Sequence, residues 1–224
     1  LSHAEVTQYS LRRALRRSPK TFGAITVPAP APRGRKIGLM GGSFNPPHEG
    51  HRLAARTALH RLGLDEIWWI VTPGNPLKSQ GGLQPLAQRL AAVRALAVHP
   101  RMRVTAFEDA LGSPYTAVTL QFLKRRYPGV KFVWVMGADN LANFHRWQNW
   151  RGIATAMPIA VVDRPGFRLN ALAAQAAKAL AGRRLPEEQA RGLAAMKAPA
   201  WVFLTNPLNR QSSTAIRQNV EISS

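Results

Sequence analysis

From residue 36 onward, short apolar runs alternate with helix-like stretches, and this alternation narrows the folds open to the chain. The runs lie at 36–40, 66–72, 102–107, 131–136, 158–162 and 201–204. They are too short for helices, and their near-continuous apolar character fits strands buried on both faces. Between them the spacing predicts helices over 49–62, 86–98, 115–126, 139–144 and 170–180. In the first helix Leu53, Ala54, Ala58 and Leu62 share one face. In the third, Ser113 is expected to cap and Pro114 to take the first helical position. The alanine-rich 170–180 stretch reads as a plain solvated helix. Strand, helix, strand, repeated along the chain, predicts an α/β architecture: a doubly wound parallel sheet with helices on both faces. Ligands of such sheets bind beyond the carboxyl ends of the strands, where strand order reverses. The chemistry is therefore expected just after the strands.

Composition narrows the function classes. The 224 residues include no cysteine, which excludes a disulfide scaffold, a thiolate nucleophile and a Cys-ligated zinc or iron–sulfur site. No apolar run approaches the ~20 residues needed to cross a bilayer. Arg12, Arg13, Arg16, Arg17 and Lys20 are followed by no apolar segment, so a secretory leader is not expected and a cytoplasmic chain is. Lys and Arg number 31 against 11 Asp and Glu, a formal charge of +20. That charge raises nucleic acid as a partner. It is spread along the chain, however, and no RNA-module signature is present, so nucleic acid is not the partner expected. Residues 1–35 read as a basic, disordered extension ending in the Pro/Ala linker around Pro28, Pro30 and Pro32, and 36–224 as the folded domain.

The first strand runs into Gly41-Gly42-Ser43-Phe44-Asn45-Pro46-Pro47-His48-Glu49-Gly50-His51. Two glycines after a strand let backbone N–H groups approach an anion, and the next helix points its positive end at the same place. His48 and His51 are three apart, so both project to one side, with Gly50 leaving space between them. This is a phosphate site without the spacing or lysine of a Walker loop. Two alternatives stay open from the residues alone. The histidines could simply cap the helix, or they could bind a metal, for which a third ligand is needed and nearby acids are few.

A second block, Ser212-Ser213-Thr214-Ala215-Ile216-Arg217, offers hydroxyls and N–H groups at a helix start and a guanidinium one turn on. Alone it reads equally as a Ser-capped surface helix. Together the two blocks resemble the (S/T)-F-(D/N)-P-x-H-x-G-H and S-S-T-x-I-R motifs of the nucleotidylyltransferase superfamily, and the resemblance covers about residues 36–220. Intermediate segments are similar to those of the nicotinate-nucleotide adenylyltransferases: Pro73-Gly74-Asn75-Pro76-Leu77-Lys78, Ser113-Pro114-Tyr115-Thr116, Gly137-Ala138-Asp139, Trp147, and Asp163-Arg164-Pro165-Gly166. Three departures stand out: Gln211 stands where the family often has Ile, the basic extension lies outside the usual pattern, and the sequence stops at Ser224 where the family usually continues to a final helix and an aromatic segment.

The resemblance implies a Rossmann-like fold and the transfer of an adenylyl group from ATP to nicotinate mononucleotide, giving nicotinate adenine dinucleotide and pyrophosphate. Nicotinamide mononucleotide or another phosphate is the alternative acceptor. It implies His48, His51 and Arg217 as the catalytic set. It implies phosphate and ATP binding by Gly41, Gly42, Ser43, Phe44, Gly137, Asp139, Ser213 and Thr214. Asp139 would take a ribose hydroxyl, unless it serves only as a helix cap. Asn75, Lys78, Tyr115, Thr116, Trp147 and Arg164 would shape the nicotinate side, with the pyridine ring on Trp147. Mg²⁺ would arrive with ATP, with no metal site of the protein's own. Trp68, Trp69, Trp134 and Trp201 are expected in the core.

Overall fold

The computed structural model describes residues 31–74 and 82–206. Strands β1 (Lys36–Gly42), β2 (Glu66–Val71), β3 (Met102–Thr105), β4 (Lys131–Gly137), β5 (Ile159–Val162), β6 (Arg184–Leu185) and β7 (Trp201–Leu204) form one sheet. Its order is β3-β2-β1-β4-β5-β7-β6, and every pair is parallel. The chain leaves β1 for β2 and β3 on one side, then returns to lay β4 on the other. The order therefore reverses between β1 and β4, where Leu39 faces Trp134 across the pair.

Helices cover both faces, as the strand composition requires. They are α1 (Glu49–Arg61), α2 (Leu86–Leu96), α3 (Glu108–Leu111), α4 (Thr116–Arg126), α5 (Ala138–Asn143), α6 (Trp150–Ala156), α7 (Arg168–Ala173) and α8 (Gln175–Ala179). Alternate strand residues feed two cores. Ile37, Leu39, Trp68, Ile70, Trp134, Met136 and Trp201 build one. Met40, Ile67, Trp69, Val71, Val133, Val135 and Val202 build the other, against Ala54, Ala55, Ala58, Leu59 and Leu62 of α1 and its end. The four strand tryptophans are buried, as expected. Leu53 lies at the edge of the α1 face, half-buried.

Several expectations are corrected. The glycines at 41 and 42 do not follow β1 but end it, paired with Ile70 and Val71. Pro114 is not the first helical residue: α4 starts at Thr116, and Ser113 Oγ accepts the Tyr115 N–H at 3.4 Å ahead of it. The 170–180 stretch is not one solvated helix. It breaks at Ala174 (φ −63°, ψ 151°) into α7 and α8. Ala171, Ala176 and Ala177 are buried, because methyl side chains let these short helices lie close to their neighbours. Of the expected extension 1–35, residues 1–30 lie outside the described residues. Ala31 packs against the core, and the Gly34 N–H donates to Gly129 O at 2.8 Å, so the attachment to the domain reaches back into the Pro/Ala stretch.

Candidate active site

The reversal point opens between the carboxyl ends of β1 and β4. At the β1 end, a Cβ on Gly41 would stand 2.6 Å from the Trp134 ring, so only glycine fits. Phe44 follows with φ +47°, a left-handed conformation that costs a non-glycine residue about 1–3 kcal/mol. Its buried ring holds it there, 5.3 Å from the Trp69 ring and 5.1 Å edge-on to His51. Asn45 secures the turn from outside: its amide donates to Gly82 O at 2.9 Å, and its oxygen accepts the Gln84 N–H at 3.1 Å.

His48 is the N-cap of α1, so the helix's positive end opens at this turn. The His48 backbone N–H donates to His51 Nδ1 at 3.2 Å. A neutral His51 therefore carries its proton on Nε2. The two rings lie 3.9 Å apart. His48 is only 4% exposed, and neither ring nitrogen has a hydrogen-bond partner among the described residues. Burial, and then the positive charge of Arg164, push its pKa down to about 4, against the opposing pull of Asp139. His48 is thus a neutral ring at pH 7, with one N–H to donate and no charge to lose.

The facing wall comes from β4 and β5. Gly137 ends β4, and a Cβ there would stand 2.3 Å from Asp139 Oδ1 and 3.3 Å from Arg164 Cγ. Arg164 Nε lies 3.5 Å from Asp139 Oδ1. Buried Asp163 fixes this turn: it accepts the Arg164 N–H at 2.9 Å and pairs with Arg168. Arg164, expected on the nicotinate side, therefore stands with Gly137 and Asp139, near His48. Trp147 is half-buried, edge-on to Trp134 (6.4 Å, 79°) and Phe144 (5.5 Å, 77°). Tyr115 and Thr116 stand half-buried at the start of α4. Asn75, Lys78, Ser213, Thr214 and Arg217 lie outside the described residues.

Three residues here escaped the sequence reading. Asn45 was visible only as part of a motif. Arg89 carries no motif, yet it is 1% exposed and donates to four carbonyls around the turn. Glu108, at the start of α3, is fully buried and accepts from Thr119 of α4. Burial pushes its pKa up to about 7, with the Thr119 bond opposing.

No group of three His, Asp or Glu among the described residues could hold a metal ion. The acid beside the histidines, Asp139, is already engaged with Arg164. These residues do not fit a resident metal.

A glycine-ended strand, a histidine-bearing helix start and a facing Asp–Arg pair meet at the reversal point of an all-parallel α/β sheet. The model of the family described as cytidylyltransferase-like matches residues 39–219. A probable nicotinate-nucleotide adenylyltransferase of Rhizobium meliloti (strain 1021) is 57% identical over 181 residues, covering 81% of this chain and 96% of its own. A protein of the same name from Agrobacterium fabrum (strain C58 / ATCC 33970) is 56% identical over 183 residues, covering 82% and 98%. The chain belongs to this family, and within it to the nicotinate-nucleotide adenylyltransferases. Among solved structures, the fold is shared with a Plasmodium falciparum nicotinic acid mononucleotide adenylyltransferase complexed with NaAD, at TM-score 0.61 and 17% identity, covering 82% of this chain and 83% of that one. No helix among the described residues is long and apolar enough to cross a membrane.

Proposed function

We propose that this chain transfers the adenylyl group of ATP to nicotinate mononucleotide, releasing nicotinate adenine dinucleotide and pyrophosphate, as a step of NAD biosynthesis in the cytoplasm. The observation that carries the reading is the His48–His51 pair at the start of α1: two rings 3.9 Å apart and tilted by 40°, one held neutral, beside the glycine-ended β1 at the reversal point. The family membership and the relatives' names support the reaction.

The chemistry asks little covalent work of the protein. An oxygen of the nucleotide's 5′-phosphate attacks the α-phosphorus of ATP in line. The new P–O bond forms as the bond to the β-phosphate bridge oxygen breaks, and pyrophosphate leaves with the electron pair. The attacking phosphate is already an anion, so no general base is required. What remains is alignment and charge stabilisation.

The Gly42–Phe44 turn and the start of α1 would present N–H groups to the phosphates. His51 Nε2–H would donate to the α-phosphoryl oxygens as charge develops, and neutral His48 would donate beside it. Arg217, with Ser213 and Thr214, would hold the leaving pyrophosphate. Asp139 would take a ribose hydroxyl, and Arg164 beside it would add positive potential. Trp147 would carry the pyridine ring, with Tyr115, Thr116, Asn75 and Lys78 around it. ATP would enter as its magnesium complex, the ion offsetting part of the phosphate charge.

The test is pyrophosphate release with MgATP and equal concentrations of nicotinate mononucleotide, nicotinamide mononucleotide or phosphopantetheine. The expected result is a clear preference for nicotinate mononucleotide. Preference for another acceptor overturns the acceptor assignment. Release with none of them overturns the reaction.

A further inference from the structure

Arg89 stands on α2 with its side chain directed into the protein, and it is 1% exposed. Its guanidinium meets no carboxylate among the described residues. It donates to backbone carbonyls instead: Nη1 to Ser43 O and Thr72 O, both at 2.7 Å, Nη2 to Pro73 O at 3.0 Å, and Nε to Gln84 O at 2.8 Å. Burial alone lowers its pKa, and it stays a cation. A buried cation satisfied only by carbonyls is costly to keep, and packing alone would be served by an apolar side chain.

The carbonyls it gathers are informative. Ser43 belongs to the turn after β1. Thr72 and Pro73 begin the loop after β2, on the chain that leads to Asn75 and Lys78. Gln84 belongs to the segment that Asn45 also holds. A planar trans peptide points its C=O and its N–H in opposite directions. Drawing Ser43 O toward Arg89 therefore turns the Phe44 N–H away from Arg89. That peptide immediately precedes the left-handed Phe44, whose conformation an unsupported turn would relax.

We propose that Arg89 is a positioning residue for adenylyl transfer. By binding Ser43 O together with Thr72 O and Pro73 O, it fixes the phosphate turn against the loop after β2, and so sets the alignment of one substrate's phosphate with the other's. A planar fork can serve carbonyls from three directions at once, and a lysine ammonium at the same depth cannot hold them in one plane. The inference rests on the proposed reaction, because it assigns the turn to phosphate binding.

The experiment compares wild type with Arg89→Lys and Arg89→Ala. It records kcat, KM for MgATP, KM for the acceptor that wild type uses best, and thermal unfolding. Misalignment predicts that folded Arg89→Lys loses about 30- to 100-fold in kcat, with each KM moved less than about threefold. It also predicts that added propylguanidinium restores part of the kcat of folded Arg89→Ala and none of the wild type's. Wild-type kcat in folded Arg89→Lys overturns the proposal, as does a loss matched by the unfolded fraction. Failure of both variants to fold at any temperature also overturns it, since Arg89 is then a residue of the core alone. A wild type inert toward every acceptor overturns the underlying reaction and this inference with it, whereas an active wild type with an indifferent Arg89 overturns the inference alone.

Discussion

The two ends of the sheet treat polar groups in opposite ways. At the amino end, Glu66 opens β2 and accepts from Arg35 (2.9 Å), Arg103 (2.7 Å) and the Trp68 indole (2.9 Å). Asp65 beside it accepts the Lys36 N–H at 2.8 Å. Burial pushes the Glu66 pKa up, but the bonds from Arg103 and Trp68 and the charges of Arg103 and Arg35 outweigh it and hold the group below its usual value. At the carboxyl end, among the described residues, His48 has unpartnered nitrogens, Glu108 has a buried oxygen without a partner and Arg89 has carbonyls in place of an acid, and Phe44 is left-handed. One end is largely satisfied, with Arg35 Nε its exception among the described residues. The other holds groups away from their comfortable states, the condition expected where a ligand completes the bonding.

Four measurements can break or sharpen that contrast. The largest effect is expected from His51→Ala: a loss of about 10²–10³ in kcat, the scale of removing one donor to developing charge, with little change in melting temperature. Turnover at the wild-type rate in this variant sinks the mechanism.

The next effect is in stability against pH. His48 titrates near 6.5 unfolded and near 4 folded, so the unfolded chain binds its proton first. Its contribution is complete above pH 6.5 and is lost as pH falls toward 4, by at most about 3 kcal/mol. Glu108 is opposite: with a folded pKa near 7 against 4.5, its contribution is present below 4.5 and lost as pH rises through 7. The two slopes offset in the wild type. His48→Gln should therefore leave stability falling from pH 4.5 to 7, and Glu108→Gln should leave it falling from pH 6.5 to 4. Urea midpoints at half-unit pH steps read this, and identical profiles for the two variants refute it.

Third comes Gly137→Ala, whose Cβ displaces Asp139 and Arg164. A fall of about tenfold in kcat/KM is expected. An unchanged value removes the Asp139–Arg164 pair from the site. The smallest effect is Glu66→Gln at the paired end. Its partly exposed arginines screen the loss, so about 1 kcal/mol is expected, seen as a drop of roughly 2–4 °C in melting temperature with kcat unchanged. A matching loss of activity would dissolve the distinction between the ends.

Much of the fold was legible because β1, β2, β4, β5 and β7 are buried on both faces and therefore written as unbroken apolar runs. β6, at two residues, is too short for any period to register. Alanine hid the division of α7 from α8, since it offers no contrast between a wet and a dry face. The motif around His48 and His51 was legible from residue type and spacing. The neutrality of His48 was not, because it depends first on burial by the folded chain and then on Arg164, delivered by a strand far along the chain. Arg89 was the hardest to see. Within Leu86–Leu96 it looks like any solvated arginine, and only the arrival of Ser43, Thr72 and Pro73 gives it acceptors.

The strand order carries a consequence of its own. β1 and β4 are neighbours, yet each turns outward into a separate loop, and β2 and β5 flank them with two more. The loop after β2 is not independent of the turn that leads into the histidine-bearing helix, because Asn45 of that turn bonds to the loop and Arg89 binds both. The rim on that side is therefore one mechanical unit: a sequence change in the loop after β2 is felt at the turn after β1, and the two must vary together.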